Sequence, residues 1–384
     1  MKVSFQKYRQ NFRTWRKQQK LNRELCSYQE LFHSRRLTLP DEGMIRRTLQ
    51  NKFPLLQRKK KGTLNILAIY HHYNWENYSL KPALEKFGRV LHYDWFEDFN
   101  HQEKDWHRFL KTKMNQDLVR RVEKWGSEDP FDVVFTYLSG EIVTPDTLQR
   151  ISALRLPMIN LSLNDKEAFV GRIRNGLATG SRDICRHFDL CWTSTRDSLE
   201  KYLVEGAFPV YLPEGANPDF HKPHDLPKTV DVSFVGQCYG NRPEIIQRLA
   251  RKGFPVETRG EGWPEGPLSM EEMVRTYSRS RINLGFAGIA GYKDRFCLKG
   301  RDFEIPMSGG LYLTEYHPEL ENVYDVQNEI VTYSRFDDLL VKIQFLLANP
   351  EKAERIRQGG YQRARREHTW ELRFEKVFSL IGLI

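Results

Sequence analysis

The segment LKGRDFEIPMSGGLYLTE (298–315) concentrates residue types that handle anions. Lys299 and Arg301 stand just ahead of the carboxylate Glu304, and Gly309 and Gly310 follow it. Cations so placed offset negative charge that develops on a departing group. The two glycines permit a tight turn and close approach of backbone to a ligand, or they simply stop a helix before the next strand. Arg242 follows the loop GQCYGN (236–241), which opens at Gly236, and begins a helical stretch. Backbone N–H groups and a guanidinium at such a place together suit a phosphate. In RGEGWPEGP (259–267), Trp263 among glycines offers a lip for a flat base or is a plain connection. In the first half, three polar clusters each follow an apolar run: His71, His72 and Asn74 (YHHYNWEN), Ser139 to Glu141 (YLSGE), and Asn164 to Lys166 (LSLNDK). A metal at the paired histidines would need more ligands than the sequence visibly supplies, so they read as surface or cleft lining.

These residues hang on an alternating pattern. The strand-like runs are 64–70, 89–95, 131–138, 156–163, 188–194 and 208–213, with helix-length stretches between most of them. After a Pro-rich loop (213–229), strands at 230–236, 254–260, 281–286, 310–315 and 329–334 alternate with helices at 242–252 and 270–279. Three more helices, at 337–347, 351–367 and from Trp370, close the chain. Such alternation implies α/β architecture with parallel sheets covered on both faces, in two doubly wound, Rossmann-like domains. Ligands of these sheets bind beyond the carboxyl ends of the strands, which makes a cleft between the domains the expected site.

At 384 residues and 45.5 kDa, there is room for about two domains. The net charge of +10 is uneven, because residues 1–61 carry 17 Lys or Arg against Glu24, Glu30, Asp41 and Glu42, leaving the rest at −3. A body without basic surplus argues against a nucleic-acid-binding domain. Within residues 5–32, Phe5, Tyr8, Phe12, Trp15, Leu21, Leu25, Tyr28 and Phe32 recur at helical spacing among Lys and Arg. This basic amphipathic helix fits packing on the body or a second subunit, contact with an anionic membrane, or a polyanionic partner. Five scattered cysteines without a CxxC pair suggest neither disulfides nor a zinc-thiolate site. The N-terminus lacks a signal-peptide core and no run is long enough to span a bilayer, so the expected location is cytoplasmic, with peripheral contact at the inner membrane face as an option.

The second half resembles the nucleotide-sugar domain of GT-B glycosyltransferases, in the group-1-like branch that includes bacterial spore-maturation glycosyltransferase-like proteins. The resemblance lies in FVGQCYGNRPEIIQRL (234–249), SRINLGF (280–286), LKGRDFEIPMSGGLYLTE (298–315) and EKAERIRQGGYQRARREHTWELRFEKVF (351–378). In the first half, FDLCWTSTRDSLEKYLVEGAFPVYLPEGANPDFHKP (188–223) resembles the end of that branch's N-terminal domain. It covers roughly residues 64–384 and implies an extension at 1–61, an acceptor domain at 62–222, a nucleotide-sugar domain at 223–367 and a final helix, 368–384, that crosses back. Trp370, Phe374, Val377 and Phe378 of that helix have the spacing of core residues.

The implied activity is transfer of a sugar from a nucleotide-diphosphate sugar, a UDP-sugar by preference, to an unknown glycan, lipid, protein or small-molecule acceptor, with no other cofactor. Glu304 would grip the donor ribose hydroxyls, as a carboxylate accepting from two neighbouring O–H groups can. The branch's earlier Glu falls on Phe296 here, so its sugar-ring contact is not carried over. Gly236, Arg242, Asn283, Lys299, Arg301, Gly309 and Gly310 would complete the donor side. No DxD-type carboxylate pair stands at a strand end, since TRD and GRD do not qualify, so Arg242, Lys299 and Arg301 would neutralise the phosphates without metal. On the acceptor side the cleft would hold His72, Asn74, Glu141 and Asn164, with Asp165 first and His71 second as the group taking the acceptor proton. A nucleotide-sugar epimerase and a non-catalytic scaffold of the same shape remain open alternatives, because a fold does not settle a function.

Overall fold

The structure, a computed structural model, describes residues 2–289 and 295–384, with the backbone alone for 2–11 and 13. Met1 and the side chains of Phe5 and Tyr8 lie outside what is described. The chain divides into two compact units. The N-terminal unit is Gln19–Pro213 with Phe374–Ile384, and the C-terminal unit is Glu214–Arg373 with the chain up to Gln18.

Two helices precede the first sheet, α1 (Lys2–Ser34) and α2 (Glu42–Lys52), the latter capped by the Asp41 side chain accepting from the Met44 N–H. The sheet of the N-terminal unit follows as β1 (Leu64–Ile69), α3 (Leu80–Glu85), β2 (Gly88–Tyr93), α4 (Lys111–Glu128), β3 (Val133–Thr136), α5 (Pro145–Ser152), β4 (Met158–Ser162) and the short α6 (Asp165–Ala168). A two-stranded ribbon, β5 (Ile173–Arg174) and β6 (Leu177–Ala178), turns at Asn175 and Gly176, both at positive φ. Then come β7 (Leu190–Thr193), α7 (Leu199–Val204) and β8 (Pro209–Tyr211). The six main strands are parallel in the order β2-β1-β3-β4-β7-β8. Strands such as LNILAI are apolar but for Asn65 near the start, because both faces of a parallel sheet are covered.

The C-terminal unit repeats this plan with β9 (Val230–Val235), α8 (Arg242–Arg251), β10 (Glu257–Arg259), α9 (Met270–Arg279), β11 (Ser280–Leu284), α10 (Gly300–Met307), β12 (Tyr312–Glu315), β13 (Val331–Tyr333), α11 (Phe336–Ala348) and α12 (Pro350–Glu367). Its strands are parallel in the order β10-β9-β11-β12-β13. One face packs Phe234, Leu249, Ile282 and Leu339, the other Tyr277, Phe303, Tyr312 and Leu320. Both sheets reverse their strand order beside their first strand, at β1/β3 and at β9/β11, and a ligand crevice opens at such a point.

Residues 19–61 are not a separate extension. The α1 stripe continues into the N-terminal core through Tyr28 and Phe32, and the Tyr28 hydroxyl donates to Glu205 at 2.6 Å. Lys201 pairs with Glu24 at 2.9 Å, and Arg35 donates to the Val204 carbonyl. The helix α2 and the β5–β6 ribbon have no counterpart in the sequence reading. The division falls at 213/214 rather than 222/223 because residues 214–216 pair with 368–370: Ala216 N–H donates to the His368 carbonyl and Trp370 N–H to the Ala216 carbonyl. The second division falls inside α13 (Trp370–Ile381), after Arg373. No described helix is long and apolar enough to cross a membrane.

Beyond that point α13 supplies core to the N-terminal sheet, where Phe374 meets the rings of Phe135 at 5.1 Å, Trp192 at 5.5 Å and Phe87 at 6.4 Å. Phe374→Ala should therefore leave a cavity that lowers unfolding free energy by about 3–5 kcal/mol in urea titrations. A loss below about 1 kcal/mol would mean that this helix end is dispensable to the unit.

Candidate active site

The crevice of the C-terminal unit is built from the ends of β9 and β11 and the start of α10. After β9 the chain reaches Gly236, whose carbonyl accepts from the Trp263 indole at 2.8 Å. A Cβ on Gly236 would lie 2.8 Å from an Arg301 guanidinium nitrogen and 3.0 Å from the Phe234 ring, so glycine is required by close approach. Trp263 thus holds the strand end and packs at the core edge beside Phe234, rather than forming a base-binding lip.

Arg242, the first residue of α8, is buried over three rings: Tyr239 at 3.9 Å, Phe234 at 5.4 Å and Phe286 at 5.7 Å. Its Nη1 donates to the Gln237 carbonyl at 2.9 Å, while its Nη2 is buried without a hydrogen-bond partner. Arg301, the second residue of α10, lies 5.8 Å from the same Phe234 ring, and its Nη1 is also buried without a partner. Burial first, and then the neighbouring Arg301 charge, push the Arg242 pKa below its usual value. Two cations in one crevice with unused buried donors call for an anion, since buried donors are otherwise almost always bonded.

Glu304 stands one turn after Arg301 on α10, inside the helix rather than at its opening. Its carboxyl pKa is raised to about 7, chiefly by burial and then by Glu214, with Arg301 opposing. His221 Nε2 lies 3.9 Å from Glu304 Oε1.

The other donor-side residues build the scaffold. Lys299 precedes α10 and spends its three N–H groups on the carbonyls of Phe286 (2.8 Å), Ala287 (2.8 Å) and Gly288 (2.9 Å). It has no proton left for a phosphate, so it tethers the loop after β11, and burial lowers its pKa to about 8. Asn283 is a core residue: its amide donates to the Tyr277 carbonyl at 3.1 Å and its oxygen accepts from Ser233 at 3.2 Å, which removes it from ligand contact. Gly309, at φ +67°, and Gly310 end α10 by donating to the Pro306 and Ile305 carbonyls, the paired bonds of a Schellman stop. Both are buried helix-stop residues. The Gly310 Cβ position is filled by Asn283 and Ile305. Phe296 is partly exposed and stacks on His317.

In the N-terminal unit, the loops after β1 and β2 bring His71 and Asp94 together. The Asp94 carboxylate takes His71 Nδ1 at 2.9 and 3.0 Å and also accepts from the His72 and Phe96 N–H groups. The His71 ring stacks on Phe96 at 4.3 Å and meets Tyr73 at 4.6 Å, with its side chain 14% exposed. A carboxylate on Nδ1 sets the tautomer and leaves Nε2 as acceptor, the arrangement of an oriented general base. Asp94 was not singled out from sequence, although a carboxylate directly after a strand is a readable signal.

Asp165 is excluded as that base. It is buried, its Oδ2 accepts from the Tyr202 hydroxyl at 2.9 Å, and burial raises its pKa. It ties α6 to α7 within the core and does not face solvent. His72 sits against the Tyr70 and His92 rings with its pKa lowered to about 4, chiefly by burial. Asn74 closes its own turn by accepting from the Trp75 N–H, Glu141 pairs with His107 at 2.7 Å, and Asn164 is exposed. Among the described residues, no group of three His, Cys, Asp or Glu side chains is placed to hold a metal ion.

Two like-ordered parallel sheets, each with a polar crevice at its reversal point, define the GT-B class, and the comparisons agree. Sucrose-phosphate synthase from Thermosynechococcus elongatus matches with a TM-score of 0.57 at 12% identity, over 83% of this chain and 98% of that one. A glycosyltransferase from Rickettsia africae matches with a TM-score of 0.56 at 11% identity, over 84% and 98%. HepE from Anabaena, in complex with UDP, matches with a TM-score of 0.51 at 10% identity, over 82% and 100%. Residues 242–379 match the family described as "Glycosyl transferase-like", and the likeness to these solved structures shows a GT-B fold. No curated protein is significantly similar in sequence.

The unused donors give a direct expectation. Inorganic pyrophosphate should bind the intact protein, and Arg301→Ala should weaken it about tenfold to a hundredfold, the worth of one lost charge-assisted hydrogen bond. Calorimetry showing equal affinity in the variant would remove Arg301 from the anion site.

Proposed function

We propose that this protein transfers a glycosyl group from a nucleoside diphosphate sugar to an acceptor hydroxyl. The observation that carries this reading is the pair of guanidiniums, Arg242 and Arg301, each with a buried donor unused, Arg301 standing one helical turn before Glu304. The arginines take the diphosphate and Glu304 takes the ribose diol. The structures of HepE with UDP and with UDP-glucose support a UDP-sugar as the first donor to try.

In the reaction, the bond from the anomeric carbon to the diphosphate oxygen breaks and its electron pair stays on that oxygen. Arg242 and Arg301 stabilise the charge as it develops, without any metal being required. The acceptor oxygen forms the new bond to the anomeric carbon and gives its proton to a base, a role for which the oriented His71 imidazole has the chemistry. Asp94 holds that ring and stabilises the imidazolium. Because a base on the acceptor assists a single displacement, the configuration inverts.

Calorimetric titration with UDP-, ADP- and GDP-sugars should identify one that binds the wild type and not Glu304→Ala. Transfer from it should persist in EDTA, and His71→Ala should lower kcat by about 100-fold to 10,000-fold. Product formed without acceptor would favour an epimerase. Binding of none of these donors would leave a scaffold of this shape as the better reading.

We further propose that α1 touches an anionic membrane surface. Residues 2–23 hold eight Lys or Arg and no acid, and the stacked Phe12 and Trp15 are 50% and 55% exposed. Aromatic rings and lysines together favour an anionic interface. The protein should sediment with phosphatidylglycerol-containing vesicles and not with phosphatidylcholine alone, with loss in Phe12→Ser/Trp15→Ser. Dimerisation abolished by the same pair, without vesicle binding, would assign the helix to self-association.

A further inference from the structure

We propose that Glu304 does not hold the ribose alone: Glu214 and His221 complete the subsite, the two carboxyl groups accepting from the diol while the imidazole donates to it. This rests on the donor reading above.

The residues come from a loop whose backbone is pinned in place. The Glu214 carbonyl accepts from Arg373 Nε at 3.3 Å. A Cβ on Gly215 would lie 2.7 Å from the Trp370 nitrogen, so the chain passes there only as glycine, and Ala216 is bonded on both sides to 368–370. These contacts fix Glu214 beside the start of α10. A Cβ on Gly300 would sit 3.0 Å from Glu304 Oε1 and 3.2 Å from Glu214 Oε2, so both carboxyl groups come up to the same glycine, where there is no room for a side chain.

His221 is fully buried, and its Nδ1 accepts from the Asn217 N–H at 3.2 Å. The neutral ring therefore carries its proton on Nε2, which has no hydrogen-bond partner and lies 3.9 Å from Glu304 Oε1. That separation is too long for a direct bond, and an oxygen at ordinary distance from both atoms bridges it. A sugar hydroxyl does so by accepting from the imidazole and donating to the carboxylate. His221 stays neutral, because burial lowers its pKa to about 4.

The charged and titratable groups facing Glu304 are Arg301 and Asp302 on its own helix, Tyr277 on α9, and Glu214 and His221 on the loop. With its pKa near 7, Glu304 is protonated in mild acid and ionised above neutrality. The ionised carboxylate is the stronger acceptor for a hydroxyl, so donor affinity rises as pH climbs through neutrality and falls below it. Glu214→Gln removes a like charge, so Glu304 ionises at lower pH and the acid limb of binding moves with it.

The test uses UDP-glucose, ADP-glucose and GDP-mannose, whose diphosphate diesters have no group titrating between about pH 5 and 9. Calorimetry from pH 5.5 to 8.5, with folding checked by thermal melting, should show the acid limb shifted down by about half a unit or more in Glu214→Gln. His221→Gln should weaken binding about tenfold across the range. If a donor binds and Glu304→Ala abolishes it, an unmoved limb in Glu214→Gln with full affinity in His221→Gln overturns this inference alone. If no donor binds the wild type, the donor reading falls and takes the inference with it.

Discussion

The crevice of the C-terminal unit is governed by the cost of placing two guanidiniums together in a poorly solvated space. Arg242 and Arg301 both approach the Phe234 ring, and burial together with the Arg301 charge pushes the Arg242 pKa down. Aromatic faces recover part of that cost, as a cation over a ring is attracted by its quadrupole. The remainder persists as buried N–H groups with nothing to bind. A site with such an imbalance is organised for an anion before the anion arrives, which is how preorganised charge contributes to catalysis.

Most of the surrounding structure serves to hold that imbalance in place. Gly236 lets the guanidinium of Arg301 approach the end of β9, and Trp263 fixes the carbonyl at that turn. Lys299 ties the loop after β11 to the start of α10 through three carbonyls, while Asp302 accepts both from the Lys299 N–H and from the Tyr312 hydroxyl. At the far end of α10, the Gly309–Gly310 stop and Asn283 anchor the helix to the sheet. Residues that look like ligand contacts in the sequence are here the framework that aims two arginines and a glutamate.

The N-terminal unit uses the same architecture with a different chemistry. Its carboxyl-end loops present imidazoles and aromatic rings in place of guanidiniums, and the His71–Asp94 pair has the geometry of an oriented base. Asp165, close by in sequence logic, is spent on Tyr202 in the core. The difference between the two carboxylates is the partner: Asp165 accepts from a core tyrosine hydroxyl, whereas Asp94 holds Nδ1 of a partly exposed imidazole.

The order of strands and helices was legible in the sequence, because apolar runs covered on both faces and amphipathic helices between them have distinct periods. The residue types of the C-terminal crevice were legible too, since Arg242 and Arg301 stand at helix starts, where anions bind, and Glu304 follows one turn on. What each polar side chain does was decided by segments far away in the chain. Lys299 reads as a phosphate ligand until three carbonyls of residues 286–288 take its protons, and Asp94 reaches His71 only because β1 and β2 are neighbours. Glu214 and His221 reach Glu304 through the pinning of residues 214–216 on 368–370. Local spacing fixes which strand end a residue occupies, whereas a buried hydrogen bond depends on partners brought together by packing, and only the tertiary structure supplies those.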